Sequence, residues 1–153
     1  MKAKTRLFGE IEIQDERIIQ LDQGMIGFPE LKHFTLIFDS DREEKSVIMW
    51  LQSMDDGDIA IPVVVPAELL PDYNPTVDNE LLENLGTLTP ENTYVLVTVT
   101  VPKDIEDISV NLKEPIVINT DTNKGCQLIV EDDYAVRYNI YDRIRDGKKK
   151  AGE

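Results

Sequence analysis

Between Thr93 and Val101 the chain alternates in period two, with Val95, Val97, Val99 and Val101 on one face and Leu96, Thr98 and Thr100 on the other. Tyr134, Val136, Tyr138 and Ile140 alternate in the same way with Ala135, Arg137, Asn139 and Tyr141, and Cys126, Leu128 and Val130 with Gln127, Ile129 and Glu131. Successive strand side chains point to opposite faces, so each pattern predicts a half-buried strand. Shorter runs at Gly9–Ile13, Arg17–Leu21, Phe34–Phe38, Val47–Leu51, Ile59–Val65 and Ile116–Asn119 predict the same. Gln14-Asp15-Glu16 and Glu131-Asp132-Asp133 are expected as hairpin connections. Pro62 brings no N–H to a ladder, which places its strand at an edge or at a bulge. Many short strands at near-regular spacing imply an antiparallel sandwich or barrel.

The stretch from Pro66 to Gly86 departs from this period. Pro66–Leu70 predicts one helical turn started by proline. Asp78 is expected to cap a second short helix that carries Leu81, Leu82 and Leu85 and ends at Gly86. No internal repeat or low-complexity linker divides the chain, so one all-β domain, mainly β with short helices, is expected over residues 1–142. Residues 143–153, with Arg143, Arg145, Lys148, Lys149 and Lys150, are expected as a basic, disordered tail.

Composition narrows the function classes. The 153 residues are 41% hydrophobic, enough for one core, since a domain of this length buries about 70% of its unfolded surface. No stretch reaches the ~20 apolar residues of a membrane span. The basic start, Met1 to Arg6, is followed by Glu10 and Glu12 instead of an apolar signal segment. With a single cysteine, Cys126, an internal disulfide is impossible, which favours a reducing compartment and hence the cytoplasm. A formal net charge of −14 argues against direct nucleic-acid binding and against an anionic membrane surface. It would attract a basic protein, though it also serves simple solubility.

Candidate chemistry is sparse. His33 is the single histidine and has no neighbour at metal-ligand spacing. A Cys126–His33 nucleophile pair is conceivable, but Cys126 falls on a predicted strand where a small buried hydrophobe fits better. Asp55-Asp56-Gly57-Asp58 resembles part of a calcium loop but has Pro66, not Glu, eleven residues after its first acid. Gly24-Met25-Ile26-Gly27 lacks the third glycine and the lysine of a phosphate loop. No catalytic residue, metal or cofactor is expected. Phe28, Trp50 and Tyr73, beside glycine and proline bends, are expected to be structural. Met54, Asp55, Asp56 and Asp58 combine an adaptable apolar group with three charges on one exposed turn, and Asp132 and Asp133 add to the field. These six residues are the expected partner surface, although solvated loops would look the same.

Several segments in this order resemble the flagellar assembly factor FliW family. They are Gly24–Pro29, Trp50–Ser53 with Asp55, Pro66 with Pro71–Tyr73, the most specific string Asn111-Leu112-Lys113-Glu114-Pro115-Ile116-Val117-Ile118-Asn119, and Gly125–Gln127. The resemblance implies a compact antiparallel β-barrel-like fold with little helix, a monomer when free, and no catalytic residues. It also implies two protein partners in the cytoplasm: flagellin and, once flagellin is exported, the RNA-binding translational repressor CsrA. The resemblance further implies that CsrA is antagonised away from its RNA-contacting surface, so that flagellin translation resumes. A flagellin export chaperone without repressor binding and, from another class, an acid-rich hydrolase remain open alternatives.

Overall fold

The computed structural model describes residues 1–38, 48–77 and 79–144. Strands β1 (Lys2–Thr5) and β2 (Gly9–Glu12) pair with each other as a separate hairpin. The main sheet is built from β3 (Ile19–Leu21), β4 (His33–Ile37), β5 (Met49–Ser53), β6 (Ala60–Val64), β7 (Thr93–Thr100), β9 (Ile116–Asn119) and β10 (Lys124–Gln127). Neighbours run β7-β6-β5-β4-β3-β10-β9, and β9 pairs back onto β7, which closes a seven-stranded barrel. The pairings are antiparallel except that of β3 with β10, which is parallel. On the far side of β7 the short strands β8 (Ser109–Val110) and β11 (Tyr138–Asn139) extend the sheet as a flap.

Period-two patterning produces this closure because it sorts side chains to inside and outside. Leu21, Phe34, Met49, Leu51, Val63, Leu96, Ile116 and Ile118 fill the interior. The outer residues of β7 and β6, Val97, Val99 and Val64, are covered by Ile108, Val110, Leu112 and Ile140 from the flap. A third cluster, Leu85, Val117 and Leu128, covers β9 from outside. Both faces of β9 are therefore dry, which explains why Ile116-Val117-Ile118-Asn119 is a continuous apolar run ended by one buried amide.

The helical exception is present in two pieces. Helix α1 (Pro66–Leu69) has Pro66 in its first turn, and α2 (Asn79–Leu82) continues into a 3₁₀ turn, Glu83–Leu85, closed by Gly86 at φ +89°. The expected cap Asp78, the strand start Val47 and the basic residues Arg145 and Lys148–Lys150 lie outside the described residues. Packing extends through Ile144, which lies against the outer cluster, while Arg143 stands over the Tyr138 ring at 5.5 Å.

Four local expectations are corrected. Gln14-Asp15-Glu16 is no hairpin: Asp15–Arg17 form a 3₁₀ turn that carries the chain from the separate hairpin into the barrel. Glu131-Asp132-Asp133 is no hairpin either, since β10 pairs with β3 and β9 while β11 pairs with β8. The strand expected over Tyr134–Tyr141 shrinks to Tyr138–Asn139. Ahead of it the Tyr134 ring packs edge-on against Tyr73 at 4.7 Å, and the Ala135 carbonyl accepts from the Leu112 N–H, so side-chain packing displaces a ladder. Pro62 lies in an interior strand, but opposite Trp50 of β5, one position before the β7 pairing begins at Val63. Ser53 donates its N–H to Ile59, and alternation from that pair leaves Pro62 at a non-hydrogen-bonded position with β5. Its missing donor is therefore not asked for by β5 and would face β7, one position short of the residues that pair there.

The parallel seam depends on Gly125. A Cβ there would lie 2.9 Å from Leu21 Cδ2 and 3.0 Å from both Ile118 Cγ1 and the Val117 carbonyl oxygen. Gly125→Ala is expected to destabilise by about 1–3 kcal/mol, the range for overpacking. At about 2–4 °C per kcal/mol for a domain of this size, a calorimetric melt resolves it. An unchanged melting temperature would mean that β3 and β10 are not closely packed.

Candidate functional site

Strand direction brings the candidate residues together. Because β10 is parallel to β3, and β5 is related to β3 through two antiparallel steps, β3, β5 and β10 all point to one end of the barrel. The β3–β4 connection, the β5–β6 turn and the segment after Gln127 therefore share that end. The β9–β10 pairing continues beyond the strands, with Leu128 N–H donating to the Pro115 carbonyl and Val130 N–H to that of Lys113.

The β5–β6 turn is tied down at almost every residue. Gln52 is fully buried, and its Nε2 donates to the carbonyls of Ser53 at 2.8 Å, Gly57 at 3.3 Å and Ile59 at 3.1 Å. Ser53 Oγ accepts from the N–H groups of Asp55 and Asp56. Gly57 lies so close to the first hairpin that a Cβ would sit 1.8 Å from the Lys4 carbonyl oxygen, and its own carbonyl accepts from the Arg6 N–H. Met54, expected on the exposed surface, is only 6% exposed. Its N–H donates to the His33 carbonyl, which turns the residue into the protein.

Asp55 is a clamp rather than a free charge. One carboxylate oxygen accepts from the N–H groups of Lys32 at 2.7 Å and His33 at 2.9 Å, and the His33 ring Nδ1 lies 3.1 Å from the other. Burial pushes this carboxyl upward, but the two backbone donors and the imidazole outweigh it and hold it below the ordinary 3.8. Asp56 and Asp58 remain exposed, with Asp58 N–H donating to Asp56 Oδ1 at 3.0 Å. Asp132 draws its partners from different elements: it accepts from Thr76 N–H and Oγ1, and its backbone carbonyl accepts from Lys113 Nζ at 2.7 Å. The Thr76 backbone donor is the main reason its carboxyl lies below the usual value. Asp133 is exposed.

The aromatic expectations divide. Tyr73 is structural: its hydroxyl donates to the Leu112 carbonyl at 2.7 Å and burial raises its phenol. Trp50 is half-buried and meets Phe8 of the first hairpin edge-on at 6.5 Å between ring centres. Phe28, expected to be structural, is 40% exposed, and Ile26 of the same turn is 43% exposed. They sit in a tight turn in which Met25 and Phe28 exchange backbone hydrogen bonds, with Gly24 at φ +70° and Gly27 at φ +91°. Met25 and Leu31 point into the barrel core and anchor the loop. Gln127 fastens it from across the chain, accepting from Ile26 N–H at 2.8 Å and donating to the Glu114 carbonyl at 3.1 Å. The Gly-x-x-Gly-Phe-Pro wording signalled this bend, but nothing in the sequence tells which of its apolar residues face out.

Cys126 packs against the cluster outside β9, and burial raises its thiol to about 11, so it is neutral at pH 7 while the His33 ring engages Asp55. An open groove of about 820 Å³ extends from the opposite end of the barrel, where Asp15, Glu16 and Asp121 line it, along β3 to His33. Among the described residues no three His, Cys, Asp or Glu side chains come together to hold a metal ion. No helix among them is long and apolar enough to cross a membrane.

The Asp55 clamp generates a pH dependence with a definite sign. A carboxyl whose folded pKa is below its unfolded value contributes stability that is fully present above the unfolded value and disappears as pH falls through the folded one. Unfolding by urea should therefore become easier as pH drops below 3.8, the ordinary value. Asp55→Asn should lower stability at pH 7 and flatten that acid limb. Parallel stability–pH curves for the two proteins would remove Asp55 from the clamp.

Comparison with known proteins agrees with this architecture. Residues 2–140 match the family described as FliW protein. The chain is 41% identical over 155 aligned positions to the flagellar assembly factor FliW of Lachnoclostridium phytofermentans, covering 100% of this chain and 99% of that one. It is 44% identical over 147 positions to the flagellar assembly factor FliW of Lachnospira eligens, covering 95% and 97%. A crystal structure of the flagellar assembly factor FliW superposes with a TM-score of 0.82 at 28% identity, over 92% of this chain and 96% of that one.

Proposed function

The chain belongs to the FliW family of flagellar assembly factors, and from that premise we propose that it works in the cytoplasm as a non-catalytic switch between two proteins, flagellin and the translational repressor CsrA. The observation that carries this reading is the family match along nearly the whole chain, from residue 2 to 140. While flagellin is abundant it occupies the protein. Once flagellin is exported the protein, a monomer when free, captures CsrA and releases flagellin mRNA from repression. Such a circuit needs coupled binding of the two partners at affinities close enough for concentration to decide.

The net charge of −14 supports the repressor arm. An RNA-binding protein must carry Lys and Arg to neutralise phosphates, so the two proteins attract while this protein repels the bound RNA. Asp56 and Asp58, with Asp132 and Asp133, supply the steering field near the partner. Met54 and Asp55 hold the turn that presents it.

A stopped-flow experiment tests the reading. Labelled flagellin-leader RNA bound to CsrA is mixed with increasing concentrations of this protein. An antagonist acting away from the RNA surface speeds RNA dissociation in proportion to its concentration, and added flagellin reverses the effect. A rate that does not change would rule out the allosteric version, because a pure competitor waits for RNA to leave by itself. Absence of any CsrA binding would leave a flagellin chaperone only.

A further inference from the structure

Exposed apolar side chains are ordinary when scattered singly, but those at the end of the barrel are collected. Ile26 and Phe28, two positions apart, are both exposed in the β3–β4 loop, and Ile129, 62% exposed, follows two residues after Gln127. The buried Leu128 and Val130 alternate with Gln127 and Ile129, so the latter two share the other face. Gln127 itself accepts from the Ile26 N–H, which joins segments 101 residues apart. Ile129 then lies about 6.6 Å along the extended chain from the residue that holds Ile26. The presenting loop is fixed: a Cβ on Gly24 would meet the Pro29 carbonyl oxygen at 2.4 Å, and Met25 and Leu31 are anchored in the core. Little ordering cost would therefore attend binding to it.

The rim of this patch is acidic. Glu30 follows Phe28-Pro29, Glu114 supplies the carbonyl that Gln127 bonds, and Glu131 continues the face of Gln127 and Ile129. A second copy is a poor occupant. A two-fold interface would set this rim against itself, on chains that each carry −14. An anionic membrane surface is unfavourable for the same reason.

We propose that Ile26, Phe28 and Ile129, rimmed by Glu30, Glu114 and Glu131, form the docking patch for a basic protein whose contact surface carries apolar residues flanked by Lys or Arg. This rests on the functional reading above, which supplies CsrA as that basic protein. The apolar centre sets residence time, as desolvated anchors do, and the acids of this end set the encounter rate.

The test compares binding kinetics of the full chain and its variants toward immobilised CsrA and, separately, immobilised flagellin. The triple variant Ile26→Ser, Phe28→Ser, Ile129→Ser should dissociate from CsrA at least about tenfold faster with little change in association rate. Ile129→Ser alone, at the most exposed position, should keep the wild-type melting temperature and show a smaller increase of the same kind. Glu30→Lys with Glu131→Lys should slow association instead and weaken its salt dependence. Dissociation from CsrA that is unchanged in the triple variant, while wild type binds, overturns the patch and leaves the functional reading intact. Loss of flagellin binding alone, or a dimer of wild type in sedimentation that the triple variant abolishes, overturns the assigned occupant. Wild type that binds neither protein removes the functional reading, and this proposal with it.

Discussion

Closing a short-stranded barrel satisfies the ladders but leaves the connections at its ends with backbone N–H and C=O groups that have no strand to pair with. In this chain, side-chain amides and carboxylates supply the missing partners. At one end Gln52 donates to three carbonyls, Asp55 accepts from Lys32 and His33, and Gln127 bridges Ile26 and Glu114. At the other end the buried Asn119 donates to the Leu85 carbonyl and accepts from Asp121 and Thr122, while Asn92 donates to Thr87 and Asp121. Short strands and long connections are compatible with one rigid domain because of these few residues. Removing any of them leaves backbone groups unpaired, a cost of about 1–3 kcal/mol per buried group.

The same constraint gives physical content to the family's wording. In Asn111-Leu-x-x-Pro-Ile-Val-Ile-Asn119 the first asparagine accepts from the N–H groups of Lys113 and Glu114, forming the turn, and the last one stitches a buried connection. The Gln in Trp50-Leu-Gln-Ser is the buried donor of the acidic turn, and the Gly in Gly125-Cys-Gln lets β10 close on β3. A family of flagellar assembly factors can thus carry specific motifs whose task is to hold a shape.

Legibility from sequence followed the physics. Strands with alternating apolar and polar residues, β7 above all, announce themselves by period two, and β9 by its apolar run. The seven-strand closure and the parallel β3–β10 seam were not legible, because the ring is complete only when β3 and β10, about a hundred residues apart, pair with each other. Tyr134–Tyr141 was misread because alternation records which side chains are apolar, not whether a neighbouring strand is available. At the candidate site the acidic turn was found, but its division of labour was hidden. Asp55 and Met54 serve the fold and Asp56 and Asp58 face water, a distinction set by the Lys32 and His33 donors. Phe28 beside two glycines suggested a pinned aromatic, yet the turn buries Met25 and leaves Phe28 outside.

The central claim is that the end of the barrel proposed to meet the partner is held rigid by Gln52, Asp55 and Gln127. Amide hydrogen exchange at Ile26, Lys32 and His33 in the free protein tests it most directly, since each of these loop N–H groups donates to one of the two acceptor side chains. The account predicts protection approaching that of the barrel strands, with Gln127→Ala releasing Ile26 and Asp55→Ala releasing Lys32 and His33. Exchange of these amides at the rate of an open loop in the wild-type protein would contradict it.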